Sequence, residues 1–356
     1  MAFVSISSPL RRRRLECGLT QAELAARAGV SRQLVAAVEA GQNAPGVDAA
    51  LRLAGALASS VEELFSPPSL AVVPALGGRL RAGAPLKVGR VGDRLVAAEL
   101  EDHGTAGAAW AQPDGMLESG ALRLFAGATP AGFVIAGCDP ALGVAESMLH
   151  GLGPRSLLAI STATGRALRA LRAERVHAAV VHGPEDELPA PPVPVIRLQL
   201  ARWQVGLAAS LKLGRGSLES FLGGDTPIVQ RDPGAASQQA LERTVARLGV
   251  ALPLPCRRAA GHIDAARTAA MLDCVAVTTE AAADAFGLRF LALEGHTVQI
   301  WVARQWLDHP GASALGDLLA SAGFRERVGQ LRGYDLVDCG TSYEPRRPCS
   351  DRQEGK

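Results

Sequence analysis

Arg32 and Gln33 carry the clearest chemistry in this 356-residue chain. An arginine can donate two hydrogen bonds to guanine O6 and N7, and a glutamine can pair with adenine N6 and N7. Such pairs read a base only if a helix carries them into a groove, with long side chains at its start and small ones behind. The order Ser31-Arg32-Gln33-Leu34-Val35-Ala36-Ala37 has that form. Ser31 suits an N-cap, Arg32 and Gln33 the first turn, and Ala36 the face nearest the groove. Farther along, small polar residues collect where apolar runs end: Cys138-Asp139, Thr162 and Thr164, Arg231 with Gly234-Ala235-Ala236-Ser237, and Thr278-Thr279. Each such point precedes a helical pattern, and the free N–H groups of a helix start favour an anion.

Other chemistry is not indicated. There is no GxSxG, HExxH, Walker loop or dinucleotide fingerprint, so no enzyme class is expected. The histidines at 103, 150, 177, 182, 262, 296 and 309 lack ligand spacing. The cysteines at 17, 138, 256, 274, 339 and 349 contain no CxxC pair, so neither a metal site nor a cofactor is expected. They read as reduced thiols of a cytoplasmic protein. No run of eighteen uncharged apolar residues exists, so no membrane span is expected. The basic run Arg11–Arg14 lacks the following apolar block of a secretory signal.

Apolar residues make up 48% and charged residues 20%, which excludes a disordered chain. The length fits two or three domains. A net charge of +2 says little about nucleic acid, so that case must be local. Segment 1–66 holds seven arginines and no lysine against six acids. Its electrostatic grip on DNA is weak for one copy.

Five short helical patterns occupy 9–65. Thr20-Gln21-Ala22-Glu23 is a capping box, Gly29 a stop, Ser31 the next N-cap, and Gly41 the next stop. A fourth helix is expected over 47–58 and a fifth after Ser60. Two short helices around Gly29 make a helix-turn-helix. The array from Leu19 to Gly41, L-T-Q-x-E-L-A-x-x-A-G-V-S-R-Q-x-V-x-x-V-E-x-G, closely resembles the lambda-repressor/Cro-type, or XRE-family, DNA-binding domain. The resemblance implies an operator-DNA partner and a homodimer on two half-sites. It also implies phosphate contacts from Gln21 and Asn43, with electrostatic help from Arg11, whose run otherwise reads as a solvated helix face. Glu39 is expected to brace the motif.

The Ser66-Pro67-Pro68-Ser69 joint ends the helical domain, placed at 1–66. Segment 67–127 reads as a small β-rich connector without chemistry, with a hairpin over 86–91 and 94–100 and further strands at 108–111 and 121–125. From 128 strands and helices alternate, which implies an α/β domain over 128–345, with a disordered tail at 346–356. Strands at 195–200 and 203–209 are expected to cross to a second lobe. In such sheets ligands lie beyond the carboxyl ends of the strands.

The segment Gln230-Arg231-Asp232-Pro233-Gly234-Ala235-Ala236-Ser237 resembles the R-x-x-G-S-G-T stretch of periplasmic-binding-protein-like, molybdate-type domains. Ala136–Leu142, Gly261-His262, Asp284–Leu293 and Gly333-Tyr334-Asp335 match in order. The resemblance implies a two-lobed module that senses a small molecule or an oxyanion such as molybdate or tungstate, with His262 among the contacts. Two hydroxyl positions of the family are here reduced to Ser237 alone, and the arginine after them is Gln238. Asp139 reads first as a helix cap, because a carboxylate repels an anion. Thr278 and Thr279 also suit caps, Arg231 a salt bridge, and Cys138 a packed thiol. The whole then reads as a one-component transcriptional regulator. Two alternatives are a large domain that serves only as a dimerisation scaffold and a module associated with molybdenum-cofactor biosynthesis.

Overall fold

The computed structural model describes residues 9–40, 43–65, 72–100 and 112–343. Gly41, the Pro67-Pro68 joint, the strand expected at 108–111 and the tail at 346–356 lie outside the described residues. The chain divides into two compact units, 1–70 and 71–356.

The first unit is helical: α1 Pro9–Glu16, α2 Gln21–Ala28, α3 Arg32–Glu39, α4 Val47–Ala56 and α5 Val61–Phe65. Thr20 accepts from Glu23 N–H and Glu23 accepts from Thr20 N–H, closing the capping box. Gly29 takes φ 63°, where a side chain would be strained, and turns α2 into α3. Helix α4 is shorter than the expected 47–58, because Leu57 caps it and Ala58 adopts φ 45°. Leu10, Leu24, Val35, Val38, Leu53, Leu57 and Leu64 share one buried core.

The second unit holds two sheets. The smaller comprises β1 Val72–Pro74, β2 Pro85–Val91, β3 Arg94–Glu99, β4 Gly115–Glu118 and β5 Ala121–Leu124, in the order β1-β3-β2-β4-β5. Gly92, at φ 61°, turns the β2–β3 hairpin. The larger sheet has β6 Phe133–Gly137, β7 Leu157–Ser161, β8 Ala178–Gly183, β9 Val195–Ala209, β10 Ile228–Arg231, β11 Pro255–Ala259, β12 Val275–Thr279, β13 Arg289–Ala303 and β14 Ser342–Tyr343. Its order is β11-β10-β12-β9-β13-β8-β6-β7, with β14 on β9.

This is the two-lobed arrangement. One half holds the parallel strands β7, β6 and β8 with α6 Ala141–Met148 and α7 Thr164–Arg172. The other holds the parallel strands β12, β10 and β11 with α8 Leu218–Leu222, α9 Ala236–Leu248, α10 His262–Leu272 and α11 Glu280–Ala285. Strands β9 and β13 run through both and pair antiparallel along their length. The two strands expected at 195–200 and 203–209 are therefore one, since Ala201 and Arg202 stay in the ladder. The stretch 255–272, unassigned from sequence, holds an edge strand and a full helix.

The smaller sheet packs on the larger one. Ala75, Val91 and Val96 share a core with Val134, Ala136, Ile160 and Trp301. Gly89 permits this approach, because a Cβ there would lie 2.4 Å from Val134 Cγ2. Among the described residues no helix is long and apolar enough to cross a membrane.

Candidate functional site

In the helical unit, Ser31 Oγ accepts the Leu34 N–H at 3.1 Å and fixes the start of α3. Arg32 and Gln33 stand exposed in that first turn, and Ala36 is half-buried. Arg11 is exposed on α1, and Asn43 is exposed in the loop after α3. Glu39 is the brace of the motif. It accepts from Arg14 Nε at 2.6 Å, from a second Arg14 nitrogen at 3.0 Å and from Gln21 Nε2 at 2.9 Å. Gln21, expected at a phosphate, is engaged inside this network. The Arg14 and Glu39 side chains are only 8% and 3% exposed. Burial works against the Glu39 carboxylate, but its Arg14 and Gln21 donors outweigh it and hold its pKa below the usual range. The run Arg11–Arg14 is thus not one solvated face. Arg14 lies one turn from buried Leu10, and that i, i+4 spacing was the available signal.

In the larger unit, a cavity of about 830 Å³ opens at the carboxyl ends of β6 and β7. The starts of α6, α7 and α10 meet there, and the smaller sheet forms the opposite wall. Of the expected ligand residues, Cys138, Asp139, Thr162 and His262 line it; Thr164, Arg231, Gly234, Ala235, Ala236, Ser237, Thr278 and Thr279 do not. Thr164 is buried in the first turn of α7 with its hydroxyl unpartnered. Ala235 caps α9, and Ser237 is buried in its first turn. Gln238 folds back on β10, accepting the Arg231 N–H at 3.0 Å and donating to Gln230 Oε1 at 3.1 Å. Thr279 caps α11, and the Thr278 hydroxyl donates to His262 O at 2.8 Å.

The smaller sheet supplies residues that the sequence reading passed over. Arg79, Lys87 and the Arg81–Glu99 pair (Nε to Oε2, 2.7 Å) line the cavity, as does Arg166 from α7. The side chains of Arg79 and Arg166 have no hydrogen bond or ion pair among the described residues. Burial pushes the carboxyl of Glu146, which lines the cavity from α6, up from its ordinary value. Nothing in the local pattern marked these positions, because they face the cavity only after the two sheets pack.

Beneath the cavity lies a buried polar cluster. Asp139 Oδ1 accepts from Ala141 N–H and Tyr334 O–H, and Oδ2 accepts from Trp203 Nε1, all at 2.8 Å. It therefore caps α6, as its sequence context suggested. Cys138 Sγ is 3.3 Å from His182 Nε2, His182 Nδ1 is 3.0 Å from His296 Nδ1, and His296 Nε2 is 2.6 Å from Glu294 Oε1. Arg243 holds Glu294 at 2.5 and 3.0 Å. Among the described residues Arg231 gives two hydrogen bonds to the carbonyls of Ala259 and Ala260 rather than forming the expected salt bridge, and its third nitrogen, Nη1, has no hydrogen-bond partner. Neither ring nitrogen of buried His262 has a hydrogen-bond partner among the described residues. Burial holds His182 and His262 well below the ordinary imidazole range, so both rings are neutral. The ligand atoms of Cys138, His182 and His262 lie within 4.8 Å of one another. Three of the histidines scattered in sequence, His182, His262 and His296, thus converge in three dimensions.

Residues 10–64 match the helix-turn-helix family, and residues 145–320 match the PBP superfamily domain. Over 57 residues, 16% of this chain, the sequence is 46% identical to an uncharacterized HTH-type transcriptional regulator of Methanothermobacter thermautotrophicus and covers 83% of it. The restriction-modification controller protein C.AhdI from Aeromonas hydrophila is 40% identical, with 16% of this chain and 88% of that chain covered and a TM-score of 0.16. The effector binding domain of QuiR in complex with shikimate is 11% identical, with 56% and 98% covered and a TM-score of 0.41. The chain belongs to the HTH-type transcriptional regulators and joins their DNA-binding domain to a PBP-like domain.

Proposed function

We propose that the chain is a one-component regulator whose α3 reads an operator and whose cavity takes an anionic organic effector. The observation that carries this reading is the cavity itself. Its volume of about 830 Å³ lies in the range of drug-sized ligands, not bare ions. Its walls pair leucines and isoleucines with two unpartnered arginines, Arg79 and Arg166, and with the starts of three helices. Such walls favour a carboxylate or phosphate attached to an apolar body over molybdate or tungstate. The effector shifts the protein between states only by its differential affinity for them. A pair of copies on two half-sites would compensate for the small positive charge of segment 1–66.

The test is a thermal-shift screen of the full chain against organic acids, phosphorylated metabolites, molybdate, tungstate, sulfate and phosphate. An organic anion at a hundredfold excess over its Kd adds about 2.7 kcal/mol to the larger unit. Stabilisation by molybdate or tungstate alone would restore the oxyanion reading. No stabilisation by any compound would leave the large unit as a scaffold.

A further inference from the structure

We propose that Cys138, His182 and His262 form a three-ligand site for a thiophilic divalent transition-metal ion of the zinc class, with its fourth position open to the cavity. The inference does not rest on the effector reading. It rests on three residues that a thiolate-imidazole site requires and on how the protein holds them.

The distances are close to those of a filled site. Bond lengths of about 2.3 Å to sulfur and about 2.0 Å to nitrogen put tetrahedral ligand atoms about 3.5 Å apart. Cys138 Sγ and His182 Nε2 are already 3.3 Å apart, and His262 lies within 4.8 Å of both. Bringing a His262 nitrogen to about 3.5 Å from the other two would complete the set. That ring is 1% exposed, and neither of its nitrogens is hydrogen-bonded. An imidazole buried with both polar atoms unpartnered carries a desolvation cost that a bond to a metal would relieve at one of the two nitrogens.

The surroundings set the tautomers. Glu294, fixed by Arg243, accepts from His296 Nε2; His296 Nδ1 then accepts from His182 Nδ1, which leaves the His182 Nε2 lone pair facing Cys138. This is the carboxylate-histidine support found behind metal-ligating imidazoles, extended by one ring. On binding, the thiol proton goes to solvent and the sulfur lone pair forms the metal bond, with no change of oxidation state. Arg231 is buried close to Cys138. It adds positive charge near the ion, so the open position should prefer an anionic ligand or hydroxide. Cys138 and His262 both line the cavity, which gives that ligand a route in.

The test uses the full-length chain, reduced and stripped with a chelator, titrated with Co2+ and then Zn2+. One Co2+ per chain is expected, with a thiolate-to-cobalt charge-transfer band that one equivalent of Zn2+ bleaches. C138S should abolish the band, and H262Q, which removes no hydrogen bond, should weaken Co2+ binding at least tenfold. C256S and C274S should leave the band intact. The proposal is overturned if the wild-type chain shows no charge-transfer band, if C138S retains it, or if C256S or C274S removes it. No effector is present in this titration, so its result is separate from that of the thermal-shift screen.

Discussion

Trp203 donates its indole N–H to Asp139 Oδ2 at 2.8 Å, tying the middle of β9 to the corner between β6 and α6. Both residues are buried, and Asp139 also accepts from Tyr334, near the end of the described chain. The floor of the cavity is thereby fixed to the strand that joins the lobes. Trp203→Phe leaves a buried carboxyl oxygen without its donor, which costs about 1–3 kcal/mol. Urea unfolding of the larger unit should show this loss; an unchanged midpoint would remove the bond from the stability account.

Glu39→Ala strands the Arg14 guanidinium and the Gln21 amide inside the helix-turn-helix. Breaking a buried pair from one side costs about 3 kcal/mol, and replacing both partners by apolar residues recovers much of it. Glu39→Ala should therefore lower the melting temperature of the helical unit, and Arg14→Met with Glu39→Leu should restore most of it. Equal melting of the single and double variants would contradict the brace.

Gln33→Ala should relax base preference at one operator position, by about 1–3 kcal/mol, without a large change on random DNA. Arg11→Ala should weaken all sequences alike and reduce the salt slope by about 1. Fluorescence anisotropy on operator and random duplexes at several salt concentrations separates the two. Equal losses on both duplexes for Gln33→Ala would remove it from base reading.

Arg79→Ala and Arg166→Ala should each weaken the organic effector about tenfold or more, the worth of one charge-assisted hydrogen bond. Calorimetry with the compound found in the screen measures this. Affinity for DNA without effector should stay the same. Full effector affinity in both variants would place the anionic group elsewhere.

His177 is buried against Phe133 and accepts the Val134 N–H at 2.9 Å. Burial, aided by His309, pushes its pKa down from 6.5 to about 3. The unfolded chain therefore binds the proton first, and stability falls as pH drops below about 6.5. Between about pH 7 and about pH 5 this one ring accounts for about 2 kcal/mol. The loss of stability over that interval should be about 2 kcal/mol smaller in His177→Gln. Parallel pH profiles would show that His177 titrates normally.

Local rules made the helical unit readable. The capping box of Thr20 and Glu23, the turn at Gly29 and the Ser31 cap each depend on residues three or four positions apart. The same held for the β2–β3 hairpin and for β6, α6 and β7, whose apolar runs are short and well punctuated. Strand β13 was legible only from 298 onward, because Glu294, Gly295 and His296 interrupt its pattern and the ladder shifts register between Ala292 and Glu294. Strand β11 lies at the sheet edge and exposes Cys256, Arg257 and Arg258, so it shows no apolar signal. The cluster of Cys138, His182, His262 and His296 was beyond reach for another reason. Its members are supplied by the end of β6, by β8, by α10 and by β13, and only the strand order brings them together. Arg79 and Arg166 line one cavity for the same reason, through the packing of the smaller sheet on the larger one.

Strands β9 and β13 stay hydrogen-bonded from Arg289 opposite Ala209 to Ala303 opposite Val195. The halves of the larger unit therefore share a continuous spine, and any movement of one against the other must pass through it. Torsion can concentrate at its two irregular steps, Ala292/Glu294 and Val298/Gln299, where the ladder is already disturbed. His296 lies between those steps, so wringing the spine would turn the imidazole that His182 leans on.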